Sequence, residues 1–442
     1  MNQVTDKTTI AAIATPPGRG GVGVIRISGI DALNVLQQLT NSKRDFPARV
    51  AILSSWLDAA GDVLDQGLSL YFPAPHSYTG EHTVELQGHG GPVLLRALLE
   101  RLFELGCKPA EPGEFTRRAV ENGKMDLAQA EAVASCIDAA TIRAGKQAQR
   151  QLQGAFGRHI EHLMQQLTSL VAHVEASLDF PEEEIPELFF SRLDEDMQQQ
   201  LIQPIRAMLD SAPLGERLFD GATVTIIGAP NVGKSSLLNA LAGRDRAIVS
   251  DIPGTTRDVL EIDFEVHGIP VRLSDTAGIR ESEDRIEQEG VRRAHQSAEQ
   301  ADATLFVADA MRPDTWHCKV NADIFLMNKC DVGQGAYPDH FISASATNGS
   351  GLNDLRDRLA ASLGDIDIAD ESMLVTRERH CQSLSEALHC IETGMQTLHD
   401  EEKLEITAMQ WRAAWAALGG ILGIGDVEHI LDQVFSEFCI GK

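Results

Sequence analysis

One stretch constrains the fold of this chain more than any other, the run Gly228-Ala229-Pro230-Asn231-Val232-Gly233-Lys234-Ser235-Ser236. A β-rich run ends before it at Ile227, and a helix-forming run begins after it at Leu237. Strand, G-x-x-x-x-G-K-S and helix in this order are typical of a phosphate-binding loop. Its glycines let backbone N–H groups surround phosphate oxygens, and the helix N-terminus adds partial positive charge. We expect Lys234 to contact the β- and γ-phosphates and the Ser235 hydroxyl to bind Mg²⁺.

Four more segments of a nucleotide-binding domain follow in order along the chain: Asp251–Asp258, Asp275–Gly278, Asn328–Asp331 and Ser343–Ser345. We expect Thr256 to offer Mg²⁺ a second hydroxyl, Asp275 to hold the Mg²⁺ shell and the Gly278 amide to sense the γ-phosphate. Asp331 can accept both the N1–H and the N2–H₂ donors of guanine, a pair that adenine lacks. Each segment alone is a weak signal. Together with the phosphate loop they predict a Ras-like GTPase domain over residues 217–376.

The expected strands of this domain alternate with the motifs. They are Ala222–Ile227, Val259–Val266, Ile269–Ser274, Thr304–Asp309, Ile324–Met327 and Phe341–Ser343. The segment between Asp309 and Asn328 is short, so we expect its helix to be reduced.

The catalytic part of the domain departs from the Ras pattern. Ile279 follows Asp275–Gly278, where many such enzymes carry the glutamine that orients the attacking water. The acidic residues of the next segment are candidate replacements, although a solvated charged loop explains most of them equally well: Glu281, Glu283, Asp284, Glu287 and Glu289. Hydrolysis also needs positive charge near the phosphates. The amide oxygen of Asn231 suits a hard monovalent cation in place of an arginine finger.

Composition limits the compartment and the partners. The chain has 442 residues, with 38 Lys and Arg against 65 Asp and Glu, a net charge of −27. This balance argues against binding nucleic acid by overall charge, but not against a local basic patch or a basic partner. The seven cysteines form no C-x-x-C pair, so we expect neither disulfides nor a zinc site. With no membrane-length apolar run and no signal peptide, we expect a cytoplasmic protein.

The first domain, residues 1–120, is expected to be α+β. We predict strands over residues 8–15 and 24–28, Gly67–Phe72 and His82–Gln87, and helices over Asp31–Leu39 and Pro92–Leu105. The string Gly18-x-Gly20-x-x-Gly23 is not a dinucleotide site, because a strand follows it instead of a helix. Gly88–Pro92 is interpreted as a turn, in which His89 is either catalytic or, as we favour, a structural turn residue. Charged residues in apolar strands, Arg26 and Glu85, indicate either an ion pair or a polar ligand.

Residues 121–216 and 377–442 are predicted to form two parts of one all-α domain, with the GTPase domain inserted between them. An apolar stripe from Phe156 to Leu178 at spacings of three and four indicates a long amphipathic helix. Pro204 should kink or break the helix predicted over residues 189–208. Near the end, Cys439 is either a nucleophile or a small buried side chain. It is one position short of a prenylation signal.

At this point the chain resembles the MnmE (TrmE) family of bacterial tRNA-modification GTPases along its whole length. The resemblance rests on the GTPase motifs and on further segments, namely Ala14–Gly23, Leu86–Pro92, Pro112–Phe115, Lys124–Glu131 and the terminal Phe438-Cys439-Ile440-Gly441-Lys442. The fold it implies is a multidomain α/β plus α arrangement. That arrangement has an N-terminal α+β folate-binding domain, a discontinuous all-α domain and an inserted Ras-like P-loop GTPase domain.

The resemblance implies site residues for four ligands. The residues implied to bind folate, as 5,10-methylene- or 5-formyl-tetrahydrofolate, are Arg26, Glu85, Lys124 and Lys442. Those implied to bind Mg²⁺ are Ser235 and Thr256. The residues implied to bind K⁺ are Asn231, Ser250, Ile252 and Thr255. The implied GTP contacts are Asn231, Val232, Gly233, Lys234, Ser235, Ser236, Ser250, Asp251, Ile252, Pro253, Gly254, Thr255, Thr256, Asp275, Thr276, Ala277, Gly278, Asn328, Lys329, Asp331, Ser343, Ala344 and Ser345.

The resemblance also implies a mechanism and partners. Glu287 would orient water, Lys234 would act on the phosphates, and Cys439 matches a family cysteine tied to tRNA modification. The family forms a homodimer through its N-terminal domain and a heterotetramer with MnmG, a protein that uses FAD and NADH. Together they place an aminomethyl or carboxymethylaminomethyl group at C5 of the wobble uridine, U34, of tRNA. In this sequence we carry no residue role into 406–425, which matches only in helical character.

Two rival functions predict different sequence features or activities. A ribosome-assembly switch GTPase would carry a basic RNA-binding module beside the GTPase domain, and none is visible in the sequence. A folate-dependent one-carbon transferase with a regulatory GTPase domain would turn folate over without MnmG or tRNA.

Overall fold

The computed structural model describes residues 8–179, 187–243, 261–275, 300–318, 321–333, 337–364, 374–425, 428–436 and 438–441. The chain divides into two compact units. The first contains residues up to Ala134 and from Leu422 onward, and the second contains Ser135–Ile421.

Elements of the described residues are numbered in chain order. The strands are β1 (Ile10–Ile13), β2 (Gly20–Ser28), β3 (Ile52–Leu57), β4 (Val63–Phe72), β5 (Thr83–Gly90), β6 (Lys108–Pro109), β7 (Ala222–Ile227), β8 (Glu261–Val266), β9 (Ile269–Asp275), β10 (Ala303–Asp309), β11 (Ile324–Asn328) and β12 (Phe341–Ser343). The helices are α1 (Ala32–Leu39), α2 (Pro92–Glu104), α3 (Glu114–Glu121), α4 (Leu127–Asp138), α5 (Ile142–Leu152), α6 (Ala155–Asp179), α7 (Glu187–Met197), α8 (Gln203–Asp220), α9 (Lys234–Ala242), α10 (Leu352–Ser362), α11 (Glu378–Met395), α12 (Leu404–Leu422) and α13 (Glu428–Ser436).

The first unit is built on a six-stranded sheet in the order β3-β4-β5-β2-β1-β6. Its pairs are antiparallel except for β1 with β6. Side chains alternate across a strand, so Ile25 and Ile27 point to one face and Arg26 to the other. The Ile25 face is packed with Trp56 and the apolar sides of α1 and α2. The predicted α+β character of this region is confirmed, and β3 was not predicted.

The glycine-rich segment Gly88–Pro92 is not the turn that the sequence predicts. β5 continues through His89 to Gly90 and pairs with the irregular start of β2. Glycine is needed there because a Cβ on Gly90 would lie 2.6 Å from the backbone oxygen of Gly20. Two backbones therefore approach closely where a sequence pattern indicates a loop. The imidazole Nδ1 of His89 in β5 lies 2.7 Å from Oδ1 of Asp65 in the neighbouring strand β4.

The end of the chain packs within the first unit. Pro112 and Ile440 form an antiparallel bridge, and Gly113 N–H donates to the carbonyl of Cys439 at 3.3 Å. A small apolar cluster joins the start of α4 to α13, with Leu127, Phe435 and Phe438 buried. The sequence assigns residues 377–442 to the second part of the helical domain. Within that part, the contacts group the residues from Leu422 onward with the N-terminal sheet.

The second unit contains a six-stranded sheet in the order β12-β11-β10-β7-β9-β8. Its pairs are parallel except for β8 with β9, which form a hairpin. Every position of β10 is buried, as expected for a central strand of a parallel sheet. In such a sheet the carboxyl ends of the strands meet at one edge, and ligands bind there. That edge carries the phosphate loop after β7 and the guanine motifs after β11 and β12.

The helices of this unit follow the predicted pattern, with one difference. α6 buries Phe156, Ile160, Leu163, Leu167, Leu170 and Val174, which confirms the apolar stripe. The chain does not break at Pro204. A π-helical segment, Gln198–Ile202, joins α7 to α8, and Pro204 lies in the first turn of α8. Ile202 and Gln203 keep the αR conformation, so the helix runs on into α8. Proline lacks the N–H that a helix interior uses, and the π-turn just before it is where the regular hydrogen-bond pattern changes.

Helix α5 connects the GTPase sheet to the segment that leaves it. At its N-terminus, Thr141 Oγ1 donates to the Gly268 carbonyl at 2.6 Å and Arg143 donates to the His267 carbonyl at 3.0 Å. At its other end, Gln151 donates to the carbonyl of Leu374 and hydrogen-bonds Thr376. The turn of the β8–β9 hairpin and the exit segment are therefore both tied to one helix.

The segment between β10 and β11 is short, as we expected. Among its described residues the only helical turn is the 3₁₀ turn Pro313–Thr315. No helix in the described part of the chain is long and apolar enough to cross a membrane.

Candidate active site

The phosphate loop has the backbone that its glycines predict. Gly228 has φ of 152° and Gly233 has φ of 97°, conformations that L side chains rarely adopt. A Cβ on Gly233 would lie 2.3 Å from Asn328 Nδ2. Helix α9 begins at Lys234, whose ammonium donates to the carbonyls of Gly228 at 2.8 Å and Ala229 at 3.2 Å. A lysine held over its own loop, at a helix N-terminus, is the arrangement that binds phosphate.

Three of the predicted motifs meet at this edge of the sheet. Asn328 Nδ2 donates to the Val232 carbonyl at 2.9 Å, while Asn328 Oδ1 accepts from the backbone N–H of Ala346 at 3.1 Å. One buried amide thus ties the phosphate loop to the segment after β12. Cys330 N–H donates to the Ala344 carbonyl at 3.1 Å. The segment carrying Asp331, which is exposed, is fixed by these contacts.

Lys329 is held in an unusual conformation across the loop. Its φ is 64°, which is costly for a residue with a side chain. Its ammonium donates to the carbonyl of Asn231 at 2.9 Å and pairs with Asp309 Oδ2 at 2.7 Å. Ser235 and Ser236 are exposed in the first turn of α9, while Ala344 and Ser345 are buried. The sequence prediction placed all of these residues at one nucleotide site, and the structure brings them to the same strand ends.

Sequence reasoning missed Asp309. Its side chain is only 3% exposed, at the end of the otherwise apolar strand β10. One carboxylate oxygen pairs with Lys329, and the other accepts from the Met311 N–H at 2.9 Å. The backbone of Asp309 also accepts from Trp316 Nε1 at 2.9 Å. A lone acid ending a fully buried strand was the available signal, since a buried charge needs a partner.

Several predicted site residues lie outside the described residues, so no contact is assigned to them. They are Ser250, Asp251, Ile252, Pro253, Gly254, Thr255, Thr256, Thr276, Ala277, Gly278, Glu287 and Lys442. The backbone of Asp275 ends β9 and is paired with Ile226 of β7, directly before the phosphate loop.

A second cluster of charge lies on the sheet of the first unit. Arg26 and Glu85 are cross-strand partners, and the guanidinium donates to Glu85 Oε1 at 3.0 and 3.1 Å. The guanidinium also lies 5.3 Å from the ring centre of Tyr78 and 5.7 Å from that of Phe115. Of the two alternatives left open by the sequence, the ion pair is present. Neither Tyr78 nor Phe115 was singled out from the sequence.

The surroundings of this cluster are partly apolar. Burial raises the pKa of the Tyr78 phenol, although its hydrogen bond with Thr116 and the charge of Arg26 act in the opposite direction. Lys124 makes a different contact, from its ammonium to the Pro75 carbonyl at 3.0 Å. Cys439 is exposed, next to the bridge that Ile440 makes with Pro112. Gly441 has φ of 99°, and a Cβ there would lie 2.3 Å from the Ile13 carbonyl oxygen.

The parallel sheet, the phosphate loop and the guanine-reading motifs define a P-loop GTPase. Two family models match: the GTP-binding protein TrmE N-terminus over residues 9–124, and the MnmE helical domain over residues 127–439. The tRNA modification GTPase MnmE of Acinetobacter baumannii is 45% identical over the full length of both chains. That of Pseudomonas aeruginosa is 44% identical, covering 98% of this chain and 99% of its own. The chain belongs to the MnmE family of tRNA modification GTPases.

Solved structures give a weaker likeness. Era of Aquifex aeolicus bound to GDP·AlF₄⁻ is 27% identical, covers 39% of this chain and 67% of that chain, and has a TM-score of 0.25. At this score the likeness adds no argument about the fold.

Proposed function

We propose that this chain is a potassium-activated GTPase that works on tRNA. With an FAD-dependent partner of the MnmG type, it adds an aminomethyl or carboxymethylaminomethyl group to C5 of the wobble uridine. The observation that carries the GTPase part is the contact of Asn328, Lys329 and Lys234 with one phosphate loop. The tRNA part rests on relatives at 45% and 44% identity that are named tRNA modification GTPases.

The nucleotide site suits GTP with Mg²⁺. The loop carbonyls that now hold Lys234 leave its ammonium within the same cradle that would bind the β- and γ-phosphates. Mg²⁺ would be held by Ser235 and Thr256 with Asp275 in its outer shell, and it would neutralise charge on the phosphate oxygens. Asp331 would select guanine, because its acceptors would be left unpaired with adenine.

Hydrolysis would use K⁺ rather than an arginine finger. Asn231 has φ of 65°, and its carbonyl holds Lys329. Its side-chain amide would bind K⁺ together with Ser250, Ile252 and Thr255. Glu287 would orient the attacking water, since Ile279 occupies the position where Ras-like enzymes carry a glutamine for that task.

The first test compares GTP hydrolysis in KCl and in NaCl at equal ionic strength. We expect the rate to be roughly a hundredfold higher in KCl, because one electrostatic contact to the developing transition state is worth about 2.7–4 kcal/mol. GDP affinity, measured in both salts, should change little and serves as the control. Equal hydrolysis rates would remove K⁺ from the mechanism.

The first unit would hold the one-carbon donor, 5,10-methylene- or 5-formyl-tetrahydrofolate. A pterin is flat and carries adjacent N–H donors, and the cluster offers the Glu85 carboxylate beside two aromatic rings. Arg26, paired with Glu85 at 3.0 Å, would orient that carboxylate as an acceptor. Lys124 and Lys442 would add positive charge for the folate tail, and Cys439 would lie at the same end of the unit.

The proposed assembly is cytoplasmic, with a homodimer formed through the first unit and a heterotetramer completed by the partner. GTP hydrolysis would drive conformational change, while the one-carbon chemistry would take place near the folate. The competing function is a ribosome-assembly switch.

Mass analysis of tRNA decides between the two. In a strain lacking this chain, wobble uridine of the substrate tRNAs should lose its C5 group, and the intact gene should restore it. A Lys234→Ala gene, which should lose GTP binding, is the matched control and should not restore the group. Normal uridine in the deletion strain would contradict the modification function.

A further inference from the structure

Five consecutive backbone carbonyls of the phosphate loop each accept a hydrogen bond from a side chain. The ammonium of Lys234 donates to the first two. Lys329 donates to the fourth and the amide of Asn328 to the fifth, both at 2.9 Å. These three residues belong to the motifs that the sequence identifies. In chain order, the five carbonyls are those of Gly228, Ala229, Pro230, Asn231 and Val232.

The third carbonyl, that of Pro230, is held by a residue that belongs to none of those motifs. Arg312 Nη1 donates to it at 3.3 Å, and Nη2 of the same guanidinium pairs with Asp314 Oδ2 at 2.9 Å. The pair with Asp314 is exposed, and pairs of that kind contribute little to stability. The contact with Pro230 is different, because it joins the segment after β10 to the phosphate loop.

The backbone that carries Arg312 is itself well anchored. Its N–H donates to the Asp309 carbonyl at 2.9 Å, and its carbonyl accepts from Thr315 Oγ1 at 2.7 Å. The same Thr315 hydroxyl accepts the Asp309 N–H at 3.0 Å, and Trp316 Nε1 donates to the Asp309 carbonyl at 2.9 Å. The guanidinium therefore reaches the loop from a fixed base, which lowers the entropy lost in making the contact.

The hold on Pro230 sets the direction of the next backbone N–H. A trans peptide group is planar, so its C=O and its N–H point in opposite directions. Because the Pro230 carbonyl faces Arg312, the Asn231 N–H faces away from it. Lys329 and Asn328 act in the same way on the next two peptide groups. Successive N–H groups turned away from such contacts form a concave site for an anion.

We propose that Arg312 is a positioning residue for GTP hydrolysis. It fixes the Pro230–Asn231 peptide group, and with it the Asn231 N–H and the Asn231 side chain. Asn231 has φ of 65°, a conformation that persists only where surrounding contacts hold it. This inference rests on the GTPase activity, and its K⁺ part rests on the proposed function. Arg312 acts through the loop and is assigned no contact with the nucleotide.

The test measures steady-state GTP hydrolysis and GDP affinity of Arg312→Gln in the full-length chain. Removing one donor to the developing charge costs about 10²–10³ in kcat, and misplacing one costs less, so we expect kcat to fall roughly tenfold. GDP affinity should stay close to that of the wild type, because the other four carbonyls keep their contacts. A general loosening of the loop would lower GDP affinity and Tm together with kcat.

Two more measurements report on positioning. The KCl concentration that gives half of the maximal rate should rise in Arg312→Gln, because the Asn231 amide is then less well placed to bind K⁺. Arg312→Lys should recover much of the lost rate, since an ammonium can still donate to the Pro230 carbonyl.

The matched controls are Arg358→Gln and Asp314→Asn. Arg358 is exposed on α10 of the same unit, so its replacement makes the same change in net charge as Arg312→Gln. Asp314→Asn removes the charged partner of Arg312 and leaves the guanidinium free to contact Pro230. Both controls should hydrolyse GTP at a rate close to that of the wild type.

The outcomes separate this inference from the proposed function. A wild-type kcat in Arg312→Gln would overturn it, and so would a fall in kcat matched by an equal fall in GDP affinity. An equal fall in kcat in Asp314→Asn would assign the effect to the turn after β10 and also overturn it. Equal wild-type rates in KCl and NaCl would remove K⁺ from the proposed function. The kcat of Arg312→Gln would then still decide the role of Arg312.

Discussion

Replacing Asp309 with alanine should weaken binding of both GTP and GDP by roughly ten- to a hundredfold. The carboxylate pairs with Lys329 at 2.7 Å and accepts the Met311 N–H at 2.9 Å. Hydrogen bonds to charged groups are worth about 1.5–3 kcal/mol, and a factor of ten in affinity is about 1.4 kcal/mol. Without this anchor, Lys329, whose φ of 64° is costly, loses one of the two contacts of its ammonium and keeps the one with the Asn231 carbonyl. The segment Asn328–Asp331 would then lose conformational entropy when the nucleotide binds, which lowers the affinity.

The experiment is a titration with a fluorescent GDP analogue. Asp309→Asn should bind better than Asp309→Ala, because its amide oxygen still accepts the Met311 N–H. The control is Asp323→Ala. Asp323 also accepts a backbone N–H, that of Thr304 at 2.8 Å, but it precedes β11 at the end of the sheet away from the nucleotide. Equal affinities for Asp309→Ala and Asp323→Ala would remove Asp309 from the site.

Replacing Gly215 with alanine should destabilise the second unit by about 3 kcal/mol or more. Gly215 is buried inside α8, and a Cβ there would lie 1.8 Å from the backbone oxygen of Val375. The helix and the exit segment would have to separate. That movement would stretch the hydrogen bond from Val375 N–H to Ser211 Oγ, now 3.2 Å, and those of Gln151 with Leu374 and Thr376. Overpacking and lost buried hydrogen bonds each cost about 1–3 kcal/mol.

Thermal unfolding followed by calorimetry measures this effect. At about 2–4 °C per kcal/mol for a unit of this size, Tm should fall by at least roughly 6 °C. Gly145→Ala is the matched control. Gly145 lies inside α5, and a Cβ there would be at an ordinary distance of 3.7 Å from the Cβ of Ala139. It should raise Tm slightly, because alanine favours a helix interior by about 0.5–1 kcal/mol. A Gly215→Ala chain as stable as Gly145→Ala would contradict the close approach.

Local patterns predicted the GTPase sheet well. β7, β10, β11 and β12 lie within a residue of their predicted bounds, since buried strands leave continuous apolar runs that end at polar motifs. α6 followed from its apolar spacing for the same reason. The place of the phosphate loop between β7 and α9 could also be predicted, because its spacing and its glycines have one physical explanation.

Contacts between distant parts of the sequence could not be predicted. Nothing near Ile440 indicates that it pairs with Pro112, since a two-residue bridge has no periodicity to detect. The Asp309–Lys329 pair joins the ends of two strands and depends on their order in the sheet. At Gly88–Gly90, glycines serve close strand pairing, although the same residues usually indicate a turn. In each case the local sequence is compatible with more than one structure, and contacts with distant residues decide which one forms.

The hairpin of β8 and β9 has a mechanical consequence. Its two strands join the segment that carries Thr256 to the one that begins at Asp275, and both residues are predicted to help hold Mg²⁺. Its turn, at Gly268, is pinned by Thr141 and Arg143 of α5. The hairpin is thus held at its turn, while its other end leads to the two segments predicted to contact the nucleotide. Any movement of this hairpin would therefore reach α5 through these two hydrogen bonds.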